Sequence, residues 1–296
     1  MKILLLGAKG QLGFELHKVL PELGEVIALS RNEVDLTNLT ELTVQLEIIK
    51  PKLIVNASAY TEVDKAENEK DLANLINAKV PQLLAQYAAY NDSILIHYST
   101  DYVFDGKKKT PYLETDNPNP LSIYGLSKLI GEEKITEIDC KHLIFRTSWL
   151  FSSHGENFLT TILNLAKQKD KLQVIDDQCG TPTSCSLLAE ITVIAIKRLI
   201  IENNTCKINN WGIYNVTALG STSWYEFARE IISYANILNI DLKINLDHIF
   251  PIKTIDYKQK AIRPRFSCLD PSKMMKSFNY NTQLYKYYLL NEIKNL

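Results

Sequence analysis

Tyr124 and Lys128, in "LSIYGLSK" at residues 121–128, are the pair of side chains best suited to proton chemistry. On a helix, residues four apart share a face, so both side chains would project into one cleft. A free tyrosine has a pKa of about 10, and a neighbouring ammonium group favours its ionised form. Of the 15 tyrosines, only Tyr124 has a lysine at this offset. An exposed surface pair fits the same spacing, so other segments must decide.

A glycine-rich turn near the N-terminus predicts a dinucleotide site. The run "KILLL" leads directly into "GAKGQLG", with Gly7, Gly10 and Gly13 at spacing three and three. Such glycines allow a tight strand-to-helix turn and a close approach of pyrophosphate to the free amides of a helix N-terminus. The spacing differs from the G-x-G-x-x-G of many dehydrogenases. It is the spacing of the extended short-chain dehydrogenase/reductase superfamily.

The residues after the second apolar run should select the cofactor, because the adenosine ribose lies there. Ser30 and Arg31 follow "EVIAL" and offer a hydroxyl and a guanidinium group, which suit a 2′-phosphate. We therefore predict NADPH as the cofactor. Glu33 and Asp35 lie close by in the sequence, so NADH stays open.

Short apolar runs alternate with amphipathic stretches in the first half of the chain. The runs are "KILLLG", "EVIALS", "KLIVNAS", "SILIHYSTDYVF" and "HLIFRTSWLF". Between them, residues 11–20, 37–49, 65–89 and 122–138 are candidate crossover helices, with Pro81 interrupting or kinking the third. This alternation predicts an α/β fold with a Rossmann-type doubly wound parallel sheet over residues 1–150.

The pattern changes from about residue 151. Helices are predicted near residues 156–169, 184–201 and 222–236, separated by short strands such as "LQVID" and "GIYNVT". Residues 151–296 are therefore expected to form mainly a smaller C-terminal α/β substrate lobe. Ligand clefts favour such boundaries.

Composition narrows the class of ligand. The chain has 296 residues, 46% of them apolar, and a net charge of −1, so neither a nucleic-acid partner nor a membrane surface is expected. The run "ITVIAIKRLII" is broken by Lys197 and Arg198, and "MKILLLG" is too short for a signal sequence. We expect a cytoplasmic protein with a small-molecule ligand. The five scattered cysteines lack a Cys-x-x-Cys pair and are interpreted as reduced, mostly structural thiols.

Eight ordered blocks between residues 4 and 270 resemble the dTDP-4-dehydrorhamnose reductase family. They are "LLLGAKGQLG", "VDLTN", "KPKLIVNASAYTEVDKAE", "HYSTDYVFDG", "YLETDNPNPLSIYGLSKLIGE", "HLIFRTSWLF", "DDQCGTPT" and "IRPRFSCLD". The resemblance implies reduction of the 4-keto group of dTDP-4-dehydro-L-rhamnose by a nicotinamide cofactor. It also implies a dTDP-sugar as the small-molecule partner.

The resemblance gives the catalytic residues their roles. Hydride delivered to a carbonyl carbon leaves negative charge on oxygen, so a proton donor must act in the same step. Tyr124 is the expected donor. Lys128 supplies the charge beside it and bonds the nicotinamide ribose, and the Thr100 hydroxyl bonds the substrate oxygen.

The resemblance also implies binding residues. Gly10, Gln11 and Leu12 would meet the pyrophosphate, Asp35 and Leu36 the adenine, Ala59, Tyr60 and Thr61 the far side of the dinucleotide, and Tyr98 the cofactor. Asp101, Val63 and Trp149 would contact the sugar nucleotide, although Trp149 also fits a core position. Asn157, Arg263 and Arg265 are weaker candidates for the nucleotide end. Phe266 departs from the small polar residue expected there, which leaves the fit of the substrate open.

Some members of the family suggest a further site. Glu15, Glu190 and Glu292 would meet around Mg²⁺ at the contact of a homodimer, since three carboxylates suit a hard cation. Three exposed surface acids are the alternative.

Two other enzyme activities and one binding role are alternatives to the reductase. A sugar-nucleotide 4,6-dehydratase is disfavoured, because Tyr102 stands where such enzymes carry a glutamate. A 4-epimerase with tightly held NAD uses the same Tyr and Lys. A methionine adenosyltransferase regulatory subunit resembles the same family but acts as a binding partner, and the start of this chain at its first strand is taken to disfavour that alternative.

Overall fold

The protein is built around one six-stranded parallel sheet. The structure, a computed structural model, describes residues 1–205 and 210–296. The strands are β1 (Lys2–Leu6), β2 (Glu25–Leu29), β3 (Leu53–Asn56), β4 (Ile94–Thr100), β5 (Lys141–Thr147), β6 (Leu150–Phe151), β7 (Leu172–Ile175), β8 (Cys179–Gly180), β9 (Thr183–Ser184), β10 (Gly212–Asn215), β11 (Thr222–Ser223) and β12 (Ile249–Ile252). The main sheet has the order β10-β5-β4-β3-β1-β2, and every neighbouring pair in it is parallel.

Helices cover both faces of this sheet. They are α1 (Gln11–Val19), α2 (Leu39–Ile49), α3 (Val63–Ala66), α4 (Lys70–Asn74), α5 (Val80–Tyr90), α6 (Ile123–Thr136), α7 (Phe158–Gln168), α8 (Cys185–Thr205), α9 (Trp224–Ile237), α10 (Ser272–Phe278) and α11 (Tyr285–Lys294). The prediction of an α/β, Rossmann-type doubly wound sheet is confirmed. In the described part of the chain, no helix combines the length and apolarity that a membrane crossing requires.

Strand β1 shows why the sheet is buried on both faces. Ile3 and Leu5 point to one side and pack in a core that includes residues of α1 and α8. Leu4 and Leu6 point to the other side and pack in a core with residues of α2 and α5. All four are fully buried, as expected for a continuous apolar run in a parallel sheet.

The third predicted helix, 65–89, is not continuous. The chain forms α3 and α4 and then a π-helical stretch, Leu75–Lys79, before α5 begins at Val80. Pro81 is the second residue of α5, and the change from π- to α-helical hydrogen bonding comes directly before it. The helical backbone runs without a break from residue 70 to residue 90, so the predicted helix is interrupted at residues 67–69 and not at Pro81.

The C-terminal half contributes to both parts of the molecule. The short pairs β6–β9, β7–β12 and β8–β11 lie outside the main sheet. In contrast, β10 is the sixth strand of that sheet, and α8 packs against α1. The boundary at residue 150 stays a prediction, with these two elements crossing it.

Candidate active site

A cavity of about 980 Å³ opens at the carboxyl ends of β1, β2, β3 and β4. Chain order reverses beside β1, which is where doubly wound sheets bind ligands. Every predicted cofactor residue except Gly13 lines this cavity: Gly7, Gly10, Gln11, Leu12, Ser30, Arg31, Asp35, Leu36, Ala59, Tyr60, Thr61, Tyr98, Tyr124 and Lys128. The structure thus brings them together around one space large enough for a dinucleotide.

The phosphate turn is shaped by its glycines. Gly7 has φ +79°, a conformation that favours glycine, and a Cβ there would meet the Ser58 amide nitrogen at 2.8 Å. A Cβ on Gly13 would lie 2.0 Å from the Gly7 carbonyl oxygen, so α1 packs directly on the turn. Gly13 therefore shapes the turn from behind and does not face the cavity.

The predicted 2′-phosphate position already has an acid beside it. Ser30 donates its backbone amide to Glu33 Oε2 at 2.7 Å, and its hydroxyl donates to the same oxygen. These two bonds are the main reason that the pKa of Glu33 is lowered. Arg31 is exposed and lines the cavity. The carboxylate of Glu33 thus competes with a phosphate for Ser30.

Two residues predicted to contact the cofactor, Tyr60 and Tyr98, form hydrogen bonds to helical segments distant in sequence. Asn77, in the π-helical stretch, accepts from the Tyr60 amide at 2.9 Å and donates to the Tyr60 carbonyl at 3.0 Å. The Tyr98 hydroxyl lies 2.9 Å from the hydroxyl of Thr192 on α8. These bonds fix the cavity wall before any ligand enters.

The predicted catalytic residues lie on adjacent elements. Tyr124 and Lys128 are on α6, and Thr100 ends β4. Burial raises the pKa of Tyr124 to about 12, and a hydrogen bond with Thr100 opposes the increase. This increase is opposite to the effect expected from Lys128, because burial outweighs it; the phenol stays protonated at neutral pH, which is the state that a proton donor requires.

Lys128 is held from the side of β4. Its Nζ donates to the Tyr98 carbonyl oxygen at 2.6 Å and lies 3.3 Å from Nε2 of His97. Burial lowers the pKa of Lys128 to about 8, against an opposing effect of Glu132. Burial and Lys128 together hold the pKa of His97 well below its usual value, so the imidazole is neutral. On the other side of the imidazole, Nδ1 of His97 lies 3.2 Å from the side-chain amide nitrogen of Asn56.

Asp101, a predicted substrate contact, follows Thr100 in the sequence. Thr100 donates its hydroxyl to Asp101 Oδ1 at 3.0 Å. Burial raises the pKa of Asp101 to about 7, and hydrogen bonds with Ser267 and Thr100 limit the increase. Val63, at the start of α3, is only partly buried. The roles of Asp101 and Val63 in substrate binding stay predictions.

Trp149 has an unusual backbone conformation, and its ring forms an aromatic stack. Its φ is +46°, which is uncommon for a bulky residue. Its ring stacks on Trp224 with centroids 3.4 Å apart, and it is 9% exposed. Gly180 leaves room for it, since a Cβ at that position would meet the indole at 2.3 Å. Both predicted roles, substrate wall and core residue, fit this placement.

Two of the three weaker nucleotide-end candidates, Arg263 and Asn157, bond to other groups of the protein. Arg263 Nη2 pairs with Asp64 Oδ2 at 2.7 Å. Arg265 is exposed. Asn157 caps α7, where its Oδ1 accepts from the Thr160 amide and its Nδ2 donates to the Ser152 carbonyl. The side chain of Asn157 thus has a structural use that the sequence pattern did not indicate.

The structure does not support the Mg²⁺ site. Glu15 pairs with Lys18 at 2.8 Å, and Glu190 accepts from the Tyr280 hydroxyl at 3.1 Å. Glu292 accepts from the Ser153 amide and the Ser186 hydroxyl, each at 2.7 Å. Within residues 1–205 and 210–296, no group of three His, Cys, Asp or Glu side chains is placed to hold a metal ion. Each carboxylate is thus accounted for by protein groups.

Sequence reasoning missed several groups around the site. The Ser99 and Thr147 hydroxyls line the cavity, are buried and lack a protein hydrogen-bond partner. Glu132, one turn beyond Lys128, forms a buried pair with Arg146 at 2.6 Å. The spacing of Glu132, four residues after Lys128 on α6, was the one sequence signal for its place beside the site. The contacts of His97 and Trp224 join residues far apart in sequence and had none.

Comparison with known proteins gives consistent matches over the whole chain. The family described as RmlD substrate binding domain matches residues 1–296. The dTDP-4-dehydrorhamnose reductase of Escherichia coli strain K12 is 41% identical over 282 residues, 94% of this chain and 92% of that protein. The crystal structure of a dTDP-4-dehydrorhamnose reductase from Clostridium acetobutylicum has a TM-score of 0.89 at 36% identity, covering 100% of this chain and 99% of that chain. The Bacillus anthracis dTDP-4-dehydrorhamnose reductase, solved in complex with NADP, has a TM-score of 0.88 at 34% identity, with the same coverage.

Proposed function

Because this chain belongs to the dTDP-4-dehydrorhamnose reductase family, we propose that it reduces the 4-keto group of dTDP-4-dehydro-L-rhamnose with NAD(P)H. The product is dTDP-L-rhamnose, and the enzyme is an oxidoreductase of dTDP-rhamnose biosynthesis. The observation that carries the proposal is that Tyr124 and Lys128 line the same cavity as the phosphate turn around Gly7 and Gly10. A dinucleotide along this cavity would end beside a proton donor.

The residues present fit a nicotinamide cofactor. The turn at Gly7 and Gly10 lines the cavity where phosphates would lie, and the unpartnered hydroxyls of Ser99 and Thr147 line the same cavity and offer further bonds. When bound, the reduced nicotinamide supplies the hydride for the carbonyl carbon. Lys128, held by the Tyr98 carbonyl, would bond the ribose next to it.

Tyr124 would protonate the oxygen that gains charge. Its raised pKa keeps the proton on the phenol until that charge develops. The Thr100 hydroxyl, which donates to Asp101, would turn to donate to the same oxygen. Tyr102 packs edge-on against Tyr124 with ring centroids 5.8 Å apart and limits the motion of the phenol. Each of these groups positions or moves a proton at the reacting oxygen.

For the donor, we favour NADPH over NADH. Arg31 supplies the guanidinium group for a 2′-phosphate. Glu33 opposes this preference, because its carboxylate already accepts the hydrogen bonds that Ser30 could donate to the phosphate. NADPH selectivity is therefore expected to be moderate. A cytoplasmic location and a homodimer also remain part of the proposal.

The test is a reaction with purified enzyme, NADPH and dTDP-4-dehydro-L-rhamnose, followed at the NADPH absorbance with identification of the product. The proposal requires stoichiometric NADPH consumption and a product with the L-rhamno configuration at C4. An enzyme that copurifies with NAD and interconverts 4-epimers without net NADPH use would be an epimerase. A chain that lacks turnover and binds methionine adenosyltransferase stoichiometrically would be a regulatory subunit.

A further inference from the structure

Two cysteines that lie 89 residues apart in sequence meet beside the predicted substrate side of the active site. Sγ of Cys179 and Sγ of Cys268 are 3.8 Å apart. Cys179 belongs to β8, and its amide donates to the Arg265 carbonyl at 2.7 Å while its carbonyl accepts from the Ser267 amide at 2.8 Å. The two segments therefore run side by side, and their backbone bonds keep the thiols in register.

The two thiols differ in access and acidity. Cys179 is partly exposed and Cys268 is 2% exposed, so a small oxidant reaches Cys179 first. A hydrogen bond with Cys268 lowers the pKa of Cys179, although burial acts in the opposite sense. The pKa of Cys268 is raised by the same bond and by burial. A thiolate at Cys179 with a neutral thiol beside it is the arrangement of an attacking and a resolving cysteine.

We propose that Cys179 and Cys268 form an oxidation site that closes to a disulfide when the protein meets a peroxide. The Cys179 thiolate attacks one peroxide oxygen, the O–O bond breaks, and hydroxide leaves as a sulfenic acid forms. Sulfur of Cys268 then attacks the Cys179 sulfur, the S–O bond breaks, and the hydroxyl leaves with the Cys268 proton as water. Two thiols lose two electrons in total, and the peroxide oxygens become water.

The remaining cysteines of the described chain lack this arrangement. Cys185 is fully buried, and burial with the charges of Glu292 and Glu15 raises the pKa of its thiol. Burial raises the pKa of Cys140 to about 11. Both thiols are therefore protonated at neutral pH and react slowly. Cys206 lies outside the described residues.

Formation of the disulfide would move segments that adjoin the predicted substrate residues Trp149 and Asp101. A disulfide needs its sulfurs about 2.05 Å apart, so the two segments must shift from the 3.8 Å separation. Gly180, next to Cys179, is in contact range of the Trp149 indole. Asp101 lies close enough to Cys268 for its charge to raise the pKa of that thiol. Given the proposed reductase function, the disulfide should impair use of the sugar nucleotide and leave NADPH binding intact.

The experiment treats the full chain with stoichiometric hydrogen peroxide at pH 7.5 and maps peptides by mass spectrometry without reduction. We expect a peptide pair linked through Cys179 and Cys268, 2 Da lighter than the two free peptides together and separated by dithiothreitol. Cys140→Ser should keep this crosslink, while Cys179→Ser and Cys268→Ser should each abolish it. Absence of the linked pair in the wild type, or sulfinic acid at Cys179 as the main product, would overturn the proposal.

A second readout links the bond to catalysis. The oxidised wild type should show kcat/KM for dTDP-4-dehydro-L-rhamnose at least fivefold lower, restored by dithiothreitol, with the Kd for NADPH changed less than twofold. Cys179→Ser should resist this loss, and an equal loss in that variant would overturn the link. If the untreated enzyme does not reduce the sugar at all, the reductase proposal fails, while the crosslink still decides the oxidation site.

Discussion

At the residue scale, burial acts in different senses on the ionisable groups beside β4. It raises the pKa of Tyr124 to about 12 and of Asp101 to about 7, and it lowers that of Lys128 to about 8. Loss of water disfavours each charged form, so acids become weaker and bases less basic. The site therefore holds a protonated phenol beside a lysine whose charge depends on pH near neutrality.

The Asp101 carboxyl gives a prediction for stability. Its pKa is about 7 in the folded protein and 3.8 ordinarily, so the folded state binds a proton more tightly. Stability from this group is greatest at low pH and falls as the pH rises from 3.8 through 7. Asp101→Asn removes the penalty, so its stability relative to wild type should rise by roughly 2 to 3 kcal/mol between pH 5 and pH 8.

Urea unfolding of both proteins at the two pH values measures this difference. Asp64→Asn is the control, because hydrogen bonding to Arg263 lowers the pKa of Asp64 to about 2, so this carboxyl is ionised at both pH values. That variant should lose the same amount of stability at pH 5 and at pH 8. A relative stability of Asp101→Asn that does not change with pH would contradict the assignment.

Cofactor choice is the second prediction at this scale. Arg31→Ala should raise the KM for NADPH roughly ten- to a hundredfold and leave that for NADH nearly unchanged, since a charge-assisted bond is worth about 1.5 to 3 kcal/mol. Glu33→Gln should lower the KM for NADPH, because Ser30 is then released from a carboxylate. Steady-state kinetics with both donors decides. Equal use of both donors by all three proteins would show that neither side chain faces the ribose.

At the residue scale, the sequence was sufficient to identify those site residues that belong to local motifs. The glycine turn and the Tyr124–Lys128 pair carry their own spacing, and the structure places them at one cavity. The contact of Lys128 with His97 and the Cys179–Cys268 pair had no such signal. They arise only when segments distant in sequence come together in the fold, and periodicity carries no information on that arrangement.

At the element scale, the stretch between β3 and α5 differs most from expectation. Its apolar pattern predicted one helix, but the π-helical stretch Leu75–Lys79 turns Asn77 toward Tyr60 and the catalytic helix. The Asn77 amide also donates to Ser127 at 3.0 Å. A π stretch often marks a functional site, and here it joins the cavity wall to α6. A hydrophobic pattern does not distinguish α from π hydrogen bonding, so this feature could not be predicted.

A short helix also fixes a C-terminal segment. Asp64 on α3 accepts from the amides of Lys260 and Ala261 and pairs with Arg263. Asp64→Ala should free this segment, so limited trypsin should cleave after Lys258 and Lys260 several times faster, because local opening exposes the backbone to the protease. Asp71→Ala, at an exposed acid of α4, should leave the rate unchanged. Equal cleavage of all three proteins would mean that Asp64 does not hold the segment.

At the whole-molecule scale, the two halves of the chain share one sheet. The sequence predicted "GIYNVT" as a strand but assigned it to the C-terminal lobe, whereas Gly212–Asn215 pairs in parallel with β5. Propensity indicates that a strand exists and does not identify its partner. The helices α10 and α11 were not predicted either, since their patterns are short and lie beyond the matched blocks.

This shared sheet predicts the behaviour of a fragment. Residues 1–150 alone would lack β10 and α8, leaving one edge of β5 unpaired and the α1 face without its cover. Exposed apolar surface and an open strand edge favour aggregation. We expect the fragment to show no cooperative thermal transition by circular dichroism, whereas the full chain melts cooperatively. A monomeric fragment with a sharp transition would show that residue 150 is a true domain boundary.

The central claim is that Tyr124 donates the proton for reduction of the sugar ketone. The most direct measurement compares kcat of wild type and Tyr124→Phe with NADPH and dTDP-4-dehydro-L-rhamnose, alongside the Kd for NADPH from cofactor fluorescence. Loss of a general acid should lower kcat by roughly 10² to 10⁴, with the Kd changed less than about threefold. A variant that keeps near-normal turnover would contradict the account, because the proton would then come from another group.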